Sequence, residues 1–143
     1  MQQGKEVKME KNYDSLKLKN QLCFPLYAAS REILRKYTPF LKELNLTYTQ
    51  YIAMMVLWER SSVTVKELGD ALYLDSGTLT PLLKKMEAKG LVTRRRSADD
   101  ERSLIVSLTE QGLALRDRAV EVPAKMAQCT RLDADEAREV YRL

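Results

Sequence analysis

The sequence predicts a mostly α-helical fold with one small β-hairpin, and three observations predict it. Apolar residues recur at helical spacing along most of the chain from Leu16 onward, as in Leu79, Leu82, Leu83 and Met86. A single segment, Leu104, Val106 and Leu108, alternates at period two instead. The 143 residues, 45% of them hydrophobic, are enough for one domain with its own core. No internal repeat or low-complexity tract divides them.

Residues 1–14 are polar and aperiodic and read as a loose N-terminal arm, leaving 15–143 as one domain. From Leu16, the series Leu22/Cys23, Leu26/Tyr27, Ile33/Leu34 and Tyr37 describes a long amphipathic helix, with Pro39 placed to end it. Pro25 lies inside that series and removes a backbone donor, so a kink or a later start of regular helix is expected there. Thr47 or Tyr48 opens a second helix, whose run Ala53–Trp58 is apolar all round and reads as buried. Thr64 with Glu67 forms a capping box before a short helix lined by Val65, Leu68 and Leu72. A tight link at Tyr73-Leu74 follows, and Asp75 or Ser76 caps the next helix. There Leu79, Leu82, Leu83 and Met86 face inward and Ser76, Thr78, Thr80, Lys84 and Lys85 face out. Gly90 stops it.

Leu91–Arg96 then pairs with Ser103–Leu108 across a charged tip from Ser97 to Arg102. Thr109 caps another helix, interrupted near Pro123, and Asp133 caps a last one. The order is that of a winged helix-turn-helix at 47–108 between helical flanks at 15–46 and 109–143, which resemble dimerisation helices.

Composition narrows the chemistry. With no histidine, the chain has no Ser-His or Cys-His pair, no imidazole acid-base group and no His-bound metal. Two cysteines cannot build a four-cysteine zinc site. Neither GxxxxGK[ST] nor GxGxxG occurs, so no nucleotide-phosphate cradle is expected. The expectation is a protein that is not an enzyme and needs no metal or cofactor. No stretch nears the ~20 apolar residues of a membrane span, and the polar start has no signal-peptide core. With few cysteines and no membrane segment, the expected compartment is the cytoplasm.

Charge placement points to a polyanion. Residues 76–96 carry Lys84, Lys85, Lys89, Arg94, Arg95 and Arg96 against the one acid Glu87, while 103–143 are near neutral. Ser76, Gly77 and Thr78 at the first turn of their helix suit close approach, and the free N–H groups there favour phosphate. Lys84 and Lys85 lie one to two turns on, where a major-groove helix meets the DNA backbone. Arg102 at the hairpin tip is placed to enter a narrow minor groove. A solvated charged face on an ordinary helical domain is the plain alternative; the helix-turn-helix and hairpin order favours double-stranded DNA.

The residues also resemble a known family. Leu91-Val92-Thr93-Arg94-Arg95, Asp99-Asp100-Glu101-Arg102-Ser103 and Ser107-Leu108-Thr109-Glu110-Gln111-Gly112 are similar to the wing of MarR-family transcriptional regulators. The family's Asp-x-Arg pattern falls on Asp100 and Arg102, which implies an arginine in the minor groove oriented by the aspartate. The resemblance also implies a homodimer that binds a palindromic operator and represses transcription. More narrowly, Asn20–Arg31 and Tyr73–Lys84 resemble the organic-hydroperoxide sensors of this family, the OhrR branch. This implies that Cys23 is the peroxide-reactive thiol, hydrogen-bonded by Tyr37 and Tyr48 of the partner subunit. Cys129 resembles the resolving cysteine of the two-cysteine sensors, which implies an intersubunit disulfide with Cys23 after oxidation.

The chemistry agrees with the resemblance. A thiolate attacks a peroxide O–O bond, and phenol donors stabilise it without histidine. Leu22, Phe24 and Leu26, with Met54 or Met55, could line an apolar pocket for an organic hydroperoxide, and Tyr27, one turn from Cys23, reads as pocket wall. Three other readings stay open. Cys23 could be a small core residue in a regulator released by an apolar or phenolic ligand. A cysteine peroxidase would use the same two thiols, and a purely structural helical module would use neither.

Overall fold

A computed structural model describes residues 12–98, 100, 102–130 and 133–142. The chain divides into two compact units between Ile33 and Leu34. The expected arm at 1–14 lies outside the described residues up to residue 11.

In the first unit, two 3-10 turns, Asp14–Leu16 and Leu18–Asn20, stand where the long helix was expected to begin. The Asn20 side chain donates to the Asp14 carbonyl at 2.7 Å, and the Gln21 amide donates to the carbonyls of Ser15 and Lys17. These side chains take carbonyls that a helix would have used. Helix α1 therefore starts late, at Cys23, and runs to Glu43. Pro25 is its third residue, where a missing N–H costs nothing because first-turn donors have no helical partner.

Pro39 does not end α1, contrary to the sequence expectation; four more residues follow it. Leu41 and Leu44 are buried in the core, and that packing outweighs the ~3 kcal/mol of an internal proline. The helix ends by hydrogen bonds instead. Asn45 is left-handed (φ 54°), its N–H donates to the Lys42 carbonyl at 3.0 Å, and the Leu46 N–H donates to the Leu41 carbonyl at 2.9 Å.

Helix α2 (Tyr48–Arg60) opens with a Thr47–Gln50 capping box. Ala53, Met54 and Leu57 are fully buried, but Met55 is exposed and Val56 and Trp58 only half-buried, so the helix is not buried on every side. After it comes a strand that the sequence reading missed, β1 (Ser62–Thr64). Three residues are too few to show a period. Helix α3 (Val65–Leu72) has the expected Thr64–Glu67 box, and α4 (Ser76–Ala88) is capped by Asp75. Gly90 (φ 72°) ends α4 with N–H to the Glu87 carbonyl at 2.8 Å, followed by Leu91 N–H to Met86 at 3.1 Å. Only glycine takes that backbone angle without a Cβ penalty.

Strands β2 (Val92–Arg96) and β3 (Leu104–Leu108) pair antiparallel with Val92 opposite Leu108 and Arg96 opposite Leu104. β1 adds to the other edge of β3, so the sheet order is β1-β3-β2. Val63, Val92 and Val106 point into a core shared with Leu57, Leu68, Leu79, Leu83 and Met86. The fold is a winged helix-turn-helix: α3 and α4 are the helical pair and β2–β3 the wing. Helices α5 (Glu110–Ala119), α6 (Val122–Thr130) and α7 (Ala134–Arg142) complete the chain. As expected, Thr109 caps α5, the break falls beside Pro123, and Asp133 accepts from the N–H groups of Asp135 and Glu136, both at 2.8 Å. No described helix is long and apolar enough to cross a membrane.

Candidate functional site

The first turn of α4 is built around Asp75. One carboxylate oxygen accepts from the Thr78 N–H at 2.8 Å and the other from the Thr78 hydroxyl at 3.2 Å. These bonds hold the Asp75 carboxyl below its ordinary range, so it stays ionised as a cap. A Cβ at Gly77 would stand 2.9 Å from that carboxylate, so a larger residue there would push the capping group aside. Thr80 donates its hydroxyl to the Ser76 carbonyl at 2.7 Å. Thr78 and Thr80 thus spend their protons inside the helix and offer lone pairs outward, which suits the amino donors of bases. Ser76, Thr78, Thr80, Lys84 and Lys85 are all exposed, as expected, with Leu79, Leu83 and Met86 buried on the opposite face.

The three arginines of β2 differ in their surroundings. Arg94 was expected among the DNA-facing groups, but its side chain is mostly buried and forks onto Glu87 of α4. Its Nε and Nη2 donate to one carboxylate oxygen at 3.0 and 2.6 Å, and its backbone N–H donates to the other at 3.0 Å. The Arg94 guanidinium holds the Glu87 carboxyl below its usual range. The pair ties the wing to α4. Arg95 and Arg96 are exposed farther along β2. Glu87 stood out in the sequence as the one acid in a basic run, and that contrast was the available signal for its structural role.

At the tip, Asp100 accepts from the Arg102 backbone N–H at 3.0 Å and from the Ser103 hydroxyl at 2.8 Å. The Ser103 N–H closes the turn on the Asp100 carbonyl at 2.9 Å, and the Ser97 N–H donates to the Ser103 carbonyl at 2.8 Å. Asp100 thereby fixes the main chain from which Arg102 projects, and these two donors depress its carboxyl.

The groups expected to handle peroxide fall in both units. In the first, Cys23 is an exposed free thiol at the head of α1. Phe24, Leu26 and Tyr27 beside it are 42%, 63% and 57% exposed. Tyr27 is engaged by Arg31, whose guanidinium lies 5.7 Å from the ring centre and donates to the phenol oxygen at 3.3 Å. In the second unit, Tyr37 and Tyr48 come together with ring centres 4.9 Å apart, and Tyr51 lies 5.9 Å from Tyr37. Burial, and then the neighbouring Tyr48, pushes the Tyr37 phenol above its ordinary range, so it remains a hydrogen-bond donor. Cys129 is a half-buried free thiol on α6.

Comparisons with known proteins agree with this architecture. Residues 35–118 match the family described as transcriptional regulator SarA/Rot. The organic hydroperoxide resistance transcriptional regulator of Bacillus subtilis is 50% identical over 132 residues, covering 92% of this chain and 90% of that protein. Among solved structures, reduced AbfR bound to DNA is 37% identical, covers 90% of each chain and superposes with a TM-score of 0.76. The disulfide form of AbfR is 36% identical over 90% of this chain and 86% of its own, with a TM-score of 0.60. A mutant MarR from E. coli complexed with operator DNA shares the fold at a TM-score of 0.79 and 24% identity, over 93% of this chain and 95% of that one. With a family match over more than half its length and a half-identical relative along nearly all of it, this chain belongs to the MarR family of transcriptional regulators, in the organic hydroperoxide resistance branch.

Proposed function

We propose that this protein is a homodimeric, DNA-binding transcriptional repressor that senses organic hydroperoxides through Cys23. The observation that carries this reading is an exposed thiol at the head of α1 on a chain whose α4 and wing tip are both locally anchored. Ser76, Thr78 and Thr80 would face base edges, Lys84, Lys85, Arg95 and Arg96 the phosphates, and Arg102 the minor groove. The flanks 15–46 and 109–143 would form the dimer. Exposed Leu22, Phe24, Leu26, Val140 and Tyr141 supply apolar area for it.

In the sensing step the Cys23 thiolate attacks the terminal oxygen of the hydroperoxide. The O–O bond breaks, the alcohol leaves with a proton, and Cys23 becomes a sulfenic acid. Tyr37 and Tyr48 of the partner chain would donate to the thiolate. The Cys129 thiolate of the other subunit then attacks the sulfenic sulfur; an S–S bond forms and the oxygen leaves as water. The names of the AbfR structures, reduced on DNA and disulfide-formed, support this sequence of states. Reduced free thiols fit a cytoplasmic setting.

A second reading is release by a small apolar or phenolic ligand. A small, mostly apolar pocket of about 190 Å³ walled by Tyr51, Met55, Trp58, Val120 and Pro123, with Arg116 also in its lining, favours it. One titration separates the two. Reduced protein is bound to labelled DNA from upstream of its own gene, cumene hydroperoxide is added, and dithiothreitol follows. Release and recovery, both lost in Cys23→Ser, are expected. Binding that ignores the oxidant would overturn the redox reading and leave the ligand-released regulator.

A further inference from the structure

Lys89 is a cation from the basic run that does not face outward with Lys84 and Lys85. It follows the last residue of α4, and its Nζ donates to the Asn45 carbonyl at 2.5 Å and to the Gln50 Oε1 at 3.0 Å. Asn45 is the left-handed residue that closes α1, and Gln50 is the capping-box residue of α2, only 2% exposed. The negative end of α1 attracts a cation, and here the cation is supplied by α4. A second tie comes from α5, where Arg118 donates to the Glu43 carbonyl at 2.6 Å. The end of α4 is also held from α5: Gln111 donates to the Lys89 carbonyl at 3.3 Å and Thr109 to the Gly90 carbonyl at 2.6 Å.

We infer that Lys89 is the positioning residue that links α1 to α4. Its ammonium couples the helix headed by Cys23 to the helix that reads DNA. The inference rests on the redox reading above and adds the route by which oxidation reaches the DNA-binding face. A rearrangement of α1 on oxidation pulls on the Asn45 carbonyl and the Gln50 amide, and through Lys89 it shifts the end of α4. The bonds are charge-assisted on the lysine side, and Gln50, being buried, has no solvent to replace that partner. Arg118 holds the same end of α1 from α5 and, among the described residues, makes no hydrogen bond of its own to α4, which makes it the control.

The test measures the ratio of oxidised to reduced Kd for DNA from upstream of the gene, using cumene hydroperoxide as oxidant and the full-length protein. Lys89→Met keeps the stem and removes the charge, and Lys89→Gln is a second variant should the first fold poorly. Wild type should show a ratio of about tenfold or more, a common size for coupled sites. Either variant should bring it to about twofold or less while Cys23 oxidises at the wild-type rate. Lys89→Arg should restore most of the ratio, and Arg118→Met should keep it while lowering thermal stability. A purely structural lysine would weaken both states alike and leave the ratio unchanged, and that result overturns the inference. Loss of the ratio in Arg118→Met would also overturn it, because the tie to α4 would then not be specific. A wild type that ignores hydroperoxide would instead bring down the redox reading itself.

Discussion

Residues 62–108 and residues 12–33 differ in how much of their apolar surface is packed away. In the first stretch Thr78 is held by Asp75, Arg94 by Glu87 and the Arg102 main chain by Asp100, over a buried core that includes Leu68, Leu79 and Leu83. In the second, Leu16, Leu22, Leu26 and Tyr27 are all more than half exposed and no residue is buried. A surface that reads DNA must be shaped before its ligand arrives, because ordering it on binding would subtract from affinity. An apolar segment left open is suited instead to a partner surface, which is the role proposed for it in the dimer.

The largest effect that sharpens this contrast is in the core. Leu83→Ala, at 1% exposure, should cost about 2–5 kcal/mol in denaturant unfolding. Leu26→Ala, at 63% exposure, should cost little per chain but make the unfolding midpoint more dependent on protein concentration. Equal, concentration-independent losses would erase the distinction between the two regions. Next comes Gly112→Ala. Its Cβ would stand 2.1 Å from the Leu91 carbonyl oxygen, a backbone atom that cannot step aside. A loss of about 3 kcal/mol is expected from calorimetry, and retained stability would show that α5 can slide against the turn after α4.

The arginines divide the wing. Arg102→Ala should weaken DNA binding by about tenfold or more with the melting temperature unchanged. Arg94→Ala should lower the melting temperature first, because it removes the tie to Glu87. Binding losses of equal size without any thermal shift would place Arg94 on the DNA after all.

The smallest effect is one of pH. Hydrogen bonds lower the carboxyls of Glu67, Asp75 and Asp100 below their ordinary values in the folded chain, and Arg94 does so for Glu87. The unfolded chain therefore binds these protons more readily. Their stabilisation is complete above the ordinary carboxylate range and is lost as pH falls through the depressed folded values. Thermal melts from pH 6 down to about pH 3 should show the decline, and Asp75→Asn should make it shallower. A stability that rises with acid over that range would contradict the capping role.

Much of this architecture was legible in the residues. Thr47, Thr64, Asp75 and Thr109 each announce a helix start through a local hydrogen bond, and Gly90 announces an end through a backbone angle. The outward set Ser76, Thr78, Thr80, Lys84 and Lys85 followed from period alone. Such features depend on groups a few positions apart and are readable from the residues alone, as is the family resemblance carried by the Cys23 and Asp100–Arg102 segments.

Other features were decided only by the tertiary structure. Pro39 argued for a helix end, yet the buried Leu41 and Leu44 carry α1 past it. β1 exists because β3 offers it an edge, with Val63 set opposite Val106. Arg94 reads like its neighbours in the sequence, yet Glu87, seven positions earlier, binds its guanidinium. Lys89 reaches the α1–α2 corner 39 and 44 positions upstream, at Gln50 and Asn45. In each of these the deciding partner is remote in the chain, and periodicity reports only which face a residue occupies. Which partner waits on that face is set by the packing of the whole.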